Sequence, residues 1–331
     1  MHYGIIHSKN SNLILSSSLP FINHDKLPKR FTLINEGDLI LADTSEDRKD
    51  AAKGIEIINK SNAHILSGLH TIHLREKAPC TIPGFKTYYV ASKSFRNFAR
   101  KYCEGIKVFS IKPSLLKYTH FAYPQNKNEQ FMIVDFFNEI DVKKSILEKK
   151  INILKKYKEG VFRIIKRNTL NYIKLGDFCD LYQPKTIAQN LLKINGKYPV
   201  YGANGIIGYY NDYNHETSQV IVGCRGNCGA IQLTNTKSWI NGNAMVIKPL
   251  NNIKLIYLYY LMHTIRFDKI IEKSSVPQIT RDKMKTIKIP ANFDNRILDM
   301  LILLDKKIEL LQKEVKVFKK IKLQLLNVLF I

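Results

Sequence analysis

Acidic residues are scarce in this 331-residue chain: 28 Asp and Glu stand against 52 Lys and Arg, a formal charge of +24. That imbalance calls for a polyanionic partner, nucleic acid first and an acidic membrane surface second. Long apolar runs are missing too. The longest, Leu255 to Met262, is too short to span a bilayer, so no membrane partner is expected. The opening MHYGIIHSKN has no basic head followed by an apolar block, and the chain is read as cytoplasmic with reduced thiols. Its five cysteines are odd in number and scattered, which excludes a disulfide framework. Cys224 and Cys228 have CxxxC spacing but no second Cys or His pair to complete a metal site, so they read as small thiols flanking a turn.

Catalytic constellations are missing as well. The glycines at 223, 226 and 229 are followed by no Walker-type Lys-Ser/Thr, and no GxSxG elbow occurs. His70 and His73, three apart in a strand-like run, point to opposite faces and form no chelating pair. Asp43, Glu46, Asp47 and Asp50 lack the strand-borne carboxylate and lysine set of a metal-dependent nuclease and read as a solvated acidic turn. No enzyme, metal or cofactor is expected.

What is present is a heptad-patterned run that occurs twice. From Asn128 to Ile165, Ile133, Phe137, Ile140, Leu147, Ile151, Leu154, Val161 and Ile165 alternate steps of four and three, with Lys144 and Lys158 filling core positions. Adding 164 gives Ile297, Leu301, Leu304, Ile308, Leu311, Val315, Phe318, Lys322, Leu325 and Leu329. Such spacing puts one apolar seam on each helix, to be buried against another. A globular unit precedes each helix, and both units end alike, at Pro124 and Pro290. The fold class is therefore α+β: two units of mixed α/β structure separated by two long antiparallel coiled-coil helices, an internal duplication. The boundaries are 1–127, 128–166, 167–291 and 292–331.

In the first unit, Gly4 to His7, Leu39 to Ala42, Ile55 to Ile58 and Ile65 to Leu74 read as strands and Ser92 to Tyr102 as a helix. In the second, Gln219 to Val222 and Ala230 to Leu233 flank a glycine-rich turn, Met245 to Ile247 is a strand, and Ile253 to Phe267 a helix. The stretch Pro199 to Tyr210, PVYGANGIIGYY, is dense in Gly, Tyr and Asn. Two readings stand. The glycines let the backbone approach bases while Tyr201, Asn204 and Tyr209 reach their edges, with Arg225 and Asn227 on the adjacent turn; or the tyrosines are core and the glycines only turns.

With these motifs in place, the chain resembles the DNA-specificity subunit of type I restriction–modification systems. KLGD at 174 to 177, PVYGANGIIGYY at 199 to 210, VIVGCRGNCGAI at 220 to 231, WINGNAMVIKP at 239 to 249 and VPQITRDKMKTIKIP at 276 to 290 carry the likeness. In the first half YGIIHSK (3 to 9), GDLILADTSED (37 to 47) and HILSGLHTIHLR (64 to 75) are similar to another variety of target recognition domain. The resemblance implies two target recognition domains reading a bipartite site in double-stranded DNA, held apart by the helices. It also implies methyltransferase (modification) and restriction/translocase subunits as partners, with no catalysis in the chain and S-adenosylmethionine left to the partner. DNA contacts are expected from Tyr201, Asn204, Tyr209, Arg225 and Asn227 in the second domain and His7, Lys9 and Arg75 in the first. Partner contacts are expected from Ile133, Phe137, Ile140, Leu147, Leu154, Leu304, Ile308, Leu311 and Phe318. Two departures are visible. The first half has no counterpart of KLGD, so the chain is expected to begin inside its first recognition domain. The helix opening Glu129-Gln130 becomes Phe293-Asp294 in the second copy, an expected weaker start. The competing class is a coiled-coil scaffold or adaptor with incidental charge.

Overall fold

The structure is a computed structural model of the chain, described for all residues except 1, 9–12, 16–18, 24, 26, 28–30, 59–62, 251–252, 273–274, 292–293 and 331. Two compact units form, one from Met1–Lys150 with Leu311–Ile331, the other from Ile151–Leu310. Each takes a stretch of both long helices.

The first unit contains α1 (Tyr3–Ser8), β1 (Leu13–Leu15), β2 (Leu39–Ala42), β3 (Thr44–Ser45), β4 (Gly54–Ile58), β5 (Thr71–Leu74), α2 (Phe85–Ala91), α3 (Lys93–Tyr102), β6 (Phe109–Ser110) and the first part of α4 (Lys127–Asn168). Its main sheet has the order β1-β4-β2-β5. The apolar run of β2 is buried on both faces, because alternate side chains leave a strand on opposite sides. Leu39 and Leu41 meet Phe85, Tyr88 and Tyr89, while Ile40 and Ala42 meet Ile6, Ile55 and Ile57. α2 is buried all round. Its Lys86 is held there by Glu76 at 2.6 Å and Glu56 at 3.3 Å, so the cation is not left bare in the core.

Several expectations need correction. Gly4 to His7 belong to a helix, not a strand, with the Ser8 hydroxyl donating to the Ile5 carbonyl. So short a run has no period that separates the two. Within Ile65 to Leu74 the strand is confined to Thr71–Leu74. His70 there adopts φ 56°, outside the extended region.

The second unit continues with β7 (Tyr172–Lys174), α5 (Leu175–Phe178), β8 (Cys179–Tyr182), β9 (Tyr198–Gly202), β10 (Gly205–Tyr210), β11 (Val220–Gly223), β12 (Ile231–Leu233), β13 (Trp239–Ile240), β14 (Ala244–Pro249), α6 (Leu255–Met262), α7 (Arg281–Lys285), β15 (Lys288–Pro290) and α8 (Asn295–Leu329). One sheet runs β12-β11-β14-β8 and a second β10-β9-β13. Val220, Val222, Met245 and Ile247 face Leu258, Leu261 and Met262 of α6; Ile221 and Val246 face Tyr201 and Ile240 of the second sheet. α6 is shorter than Ile253 to Phe267. The Thr264 amide and hydroxyl both donate to the Leu261 carbonyl and close its last turn.

The predicted seams are formed inside each unit. In the first, Ile133, Phe137 and Ile140 of α4 pack with Phe318, Leu325, Leu326 and Phe330 near the end of α8. In the second, Val161 and Ile165 pack with Ile297, Leu298, Leu301 and Leu304. Leu147, Ile151, Ile308, Leu311 and Val315 are buried as well. Leu329 departs from the register. It is exposed, and Leu326 and Phe330 are buried in its place because the last turn of α8 packs on the aromatic core around Phe85.

Two of the lysines at seam positions are paired across it, while Lys144 meets Asp141 on its own helix at 3.4 Å. In the first unit Lys322 Nζ lies 2.5 Å from Asp141 and 5.1 Å from the centre of the Tyr88 ring. In the second, Lys158 Nζ lies 2.6 Å from Asp305 and 5.3 Å from the centre of the Tyr260 ring. Lys158 and Lys322 are related by the offset of 164, and so are Asp141 and Asp305. The helix starts are capped differently from expectation. Asn126 and Asp294 accept from the Asn128 and Arg296 amides, at 2.9 and 2.8 Å. Asp294 thus gives α8 a capped start instead of a weak one. Gln130 is buried and ties α4 back to the Cys80 and Pro124 carbonyls and the Ile82 amide.

Burial lowers the Lys322 ammonium from its ordinary value, opposed by Asp141. Asp141→Asn strands that cation, and urea denaturation of the variant should show a loss of about 3 kcal/mol. Asp141→Leu with Lys322→Met should recover most of it; equal losses in both variants would show that the pair is not what holds this end of the seam.

His263 lies parallel to Phe162, with ring centroids 5.3 Å apart, and burial pushes its imidazole down to about 4, helped by Lys158 and opposed by Asp305. Above pH ~6.5 both folded and unfolded forms are neutral and stability is full; as pH falls toward ~4 only the unfolded chain takes the proton. The second unit should therefore lose up to roughly 3 kcal/mol across that window. His263→Phe should flatten this part of the stability–pH curve, and an unchanged slope would contradict the assignment.

Candidate nucleic-acid interface

Two adjoining turns of the second unit carry exposed polar residues. β9 and β10 pair with Gly202 opposite Gly205, so Ala203 and Asn204 form the hairpin tip. The β11–β12 turn carries Arg225, Gly226 and Asn227, all exposed. Gly223 brings the two together: a Cβ there would sit 2.3 Å from both the Ala203 and the Asn227 carbonyl oxygens. No side chain fits between these turns. The Gln232 side-chain amide donates to the Gly202 and Ala203 carbonyls at 3.3 Å each. The Arg225 amide donates to the Asn243 carbonyl and the Gly226 amide to that of Pro277. Asn204, Arg225 and Asn227 thus stand on a surface fixed by backbone.

The other expected DNA contacts fall elsewhere. Tyr201 is a core residue between the two sheets, and its hydroxyl accepts from the Asn235 amide at 3.1 Å, so it is corrected from reader to support. Tyr209 is partly exposed but lies five residues along β10 from Asn204, about 17 Å at strand rise. In the first unit the Arg75 guanidinium is spent on structure. It donates to Asp38 at 2.6 Å and to the Leu33 carbonyl at 2.7 Å, through Nη2, and its side chain is partly exposed. Burial alone would raise the Asp38 carboxyl, but donation from Arg75, the Asn35 amide and His73 holds it below the usual carboxylate value. His7 hydrogen-bonds the Thr44 carbonyl at 2.9 Å, and Lys9 lies outside the described residues.

Thiols and histidines serve the scaffold. Gln183 donates to Cys224 Sγ at 3.0 Å, the Cys228 thiol donates to the Pro277 carbonyl, and burial raises both thiols above their ordinary value. His73 meets Asp38 and His70 meets Asp43, separate partners for the two rings. Asp47 accepts from the Lys49 amide and caps a short turn.

The residues expected to face partners are inside the seam. Phe137, Ile140, Leu147, Ile308 and Leu311 are buried, and Ile133, Leu154, Leu304 and Phe318 partly so, on the face that carries α4 and α8 against each other within each unit. They are corrected from partner contacts to the intramolecular seam. A different face is open. Phe131, Val142, Ile153 and Ile164 recur every eleven residues of α4, about three turns, and each is more than half exposed. On α8, Leu303, Leu310 and Val317 recur every seven and are equally open.

A feature missed from sequence adjoins the turn cluster. A cleft of about 330 Å³ is lined by Gln183, Arg225, Gln278, Thr280, Arg281 and Lys285, among others. Its residues come from three separate segments, and Gln278 to Lys285 lie inside the VPQITRDKMKTIKIP stretch, which does not by itself mark a cleft.

Residues 168–319 match the family described as the type I restriction modification DNA specificity domain. A segment of 110 residues is 24% identical to the EcoprrI type I restriction enzyme specificity subunit of Escherichia coli, over 33% of this chain and 27% of that protein. Another, of 103 residues, is 27% identical to the putative type I restriction enzyme specificity subunit S.HindORF215P of Haemophilus influenzae, over 30% of this chain and 27% of that one. The matched stretches thus span about a quarter of these curated relatives. The fold is similar to the crystal structure of a type I restriction-modification S subunit from M. genitalium, with TM-score 0.61, 18% identity, and 96% and 88% of the two chains covered. It is also similar to a chain in a structure of complex assembly and conformational transition of the type I R-M system, at TM-score 0.52 and 13% identity over 93% and 85% of the chains. Residues 168–319 thus resemble a type I restriction modification DNA specificity domain, in a chain whose fold is similar to that of a type I restriction-modification S subunit.

Proposed function

We propose that the protein is the non-catalytic DNA-reading subunit of a type I restriction-modification complex. Each globular part reads one half of a bipartite site in double-stranded DNA, and the paired helices set the unread spacer between the halves. The observation that carries this reading is the turn cluster of Asn204, Arg225 and Asn227, held rigid on the Gly223 seat in a chain of charge +24. Amide side chains pair with adenine edges and guanidinium with guanine, and a fixed backbone keeps those groups in register with the groove. The repeated Lys–Asp pairs support the spacer role, because a polar pair inside an apolar seam favours one alignment of the helices. The open apolar stripes of α4 and α8 are the proposed docking faces for the methyltransferase subunits, with restriction/translocase subunits joining that assembly.

Adding one heptad to both α4 and α8 lengthens the pair by about 10.5 Å, or ~3 base pairs. Methylation mapping should then recover the same half-sites with a longer spacer. Changed half-sites with the original spacer would refute the spacing role.

Ile153→Asp with Ile164→Asp should leave the helical circular dichroism signal intact and abolish co-purification with the methyltransferase subunit. Undiminished co-purification would remove this face from the docking surface.

A further inference from the structure

The cleft beside the turn cluster carries more positive charge than its neighbours neutralise. Arg225, Arg281 and Lys285 enter it, with Asp282 the one carboxylate on its rim. Among the described residues none of these three cations ends in an ion pair, whereas Lys283, on the same short helix, is bound by Glu272 at 2.9 Å. Of the uncharged lining, Gln183 donates to Cys224 Sγ and Gln278 to the Glu272 carboxylate, and Thr280 brings a hydroxyl. The cations are held in place by structure. Residues 277–279 bridge to the β11–β12 turn, the Ile279 amide donating to the Cys224 carbonyl at 2.8 Å and the Gly226 amide to the Pro277 carbonyl at 2.9 Å. Lys285 is seated by a glycine. A Cβ on Gly176 would lie 2.8 Å from Lys285 Cβ and 2.9 Å from its Cγ, so the bare backbone of the KLGD stretch leaves room for the lysine stem. That close approach gives Gly176 a reason to be glycine.

We propose that this cleft is an anion site for one backbone phosphate of the bound duplex, clamped by Arg281 and Lys285 beside Arg225. The proposal rests on the DNA-reading function and adds to it a division of labour. The hairpin tip, Arg225 and Asn227 meet bases, while Arg281 and Lys285 in the cleft set where the backbone lies. A phosphate contact fixes register without carrying sequence information. Guanidinium and ammonium groups converging on a polar cleft match a phosphodiester in charge and donor supply.

The test measures DNA binding by the full chain with its methyltransferase subunits, across a salt series, on a duplex carrying the mapped site and on a random duplex. Arg281→Gln and Lys285→Gln should each weaken binding to both duplexes by about tenfold and reduce the salt slope by ~1, leaving the preference between duplexes unchanged. Gly176→Ala should reproduce the Lys285→Gln loss. Single methylphosphonate linkages scanned along the duplex should find one position that weakens the wild-type complex and has no further effect on the Arg281→Gln complex. Unchanged salt slopes in both glutamine variants, or a loss confined to the specific duplex, would overturn the clamp while leaving the DNA-reading function standing. A wild-type complex that binds no DNA would end both.

Discussion

A lysine half-buried in an apolar seam, answered by an aspartate from the opposite helix, is the constraint on which the long helices depend. Apolar heptads alone permit slippage by seven residues, since leucine meets leucine equally well one heptad along. Lys158 with Asp305, and Lys322 with Asp141, remove that freedom, because a slip would part both lysines from their aspartates inside an apolar seam. Each lysine also lies over a tyrosine from the adjoining globular part, Tyr260 or Tyr88, so seam register and domain packing are set together.

The second constraint is the two-layer packing of strands in the second unit. A strand offers alternate residues to opposite faces, and here both faces of β11 are buried, one under α6 and one under the second sheet. What remains for contact with a ligand is the turn at its end. Gly223 makes that turn compact against the hairpin tip, and the resulting platform is built from backbone hydrogen bonds instead of flexible side chains. Recognition through such a platform needs little reordering on binding.

Much of this was legible in the residues, for identifiable reasons. The seams were, because four-three spacing kept in one register across an offset of 164 residues favours a shared seam over two separate amphipathic surface helices, and even their lysines kept the heptad positions. Leu39 to Ala42 was legible as a buried strand because its apolar run is short and bounded by turns. Asp141 and Asp305 were not, since a heptad pattern marks apolar positions and says nothing of which flanking acid turns inward. Tyr201 and Tyr209 share one motif, and composition cannot tell which lies between the sheets; strand pairing decides it. Arg75 read as a free cation until the buried Asp38, far away in sequence, claimed it. Arg281 and Lys285 lay inside the VPQITRDKMKTIKIP stretch without being singled out, because the cleft exists only after three segments converge.

The most direct measurement is the distance between spin labels at positions 148 and 319, where Glu148 and Lys319 approach to 3.4 Å across the seam of the first unit. Pulsed dipolar spectroscopy should give one narrow distribution at short range, unchanged when DNA or partner subunits are added. A second population displaced by about one heptad, ~10 Å, would show that the seam slips and that the charged pairs do not fix it.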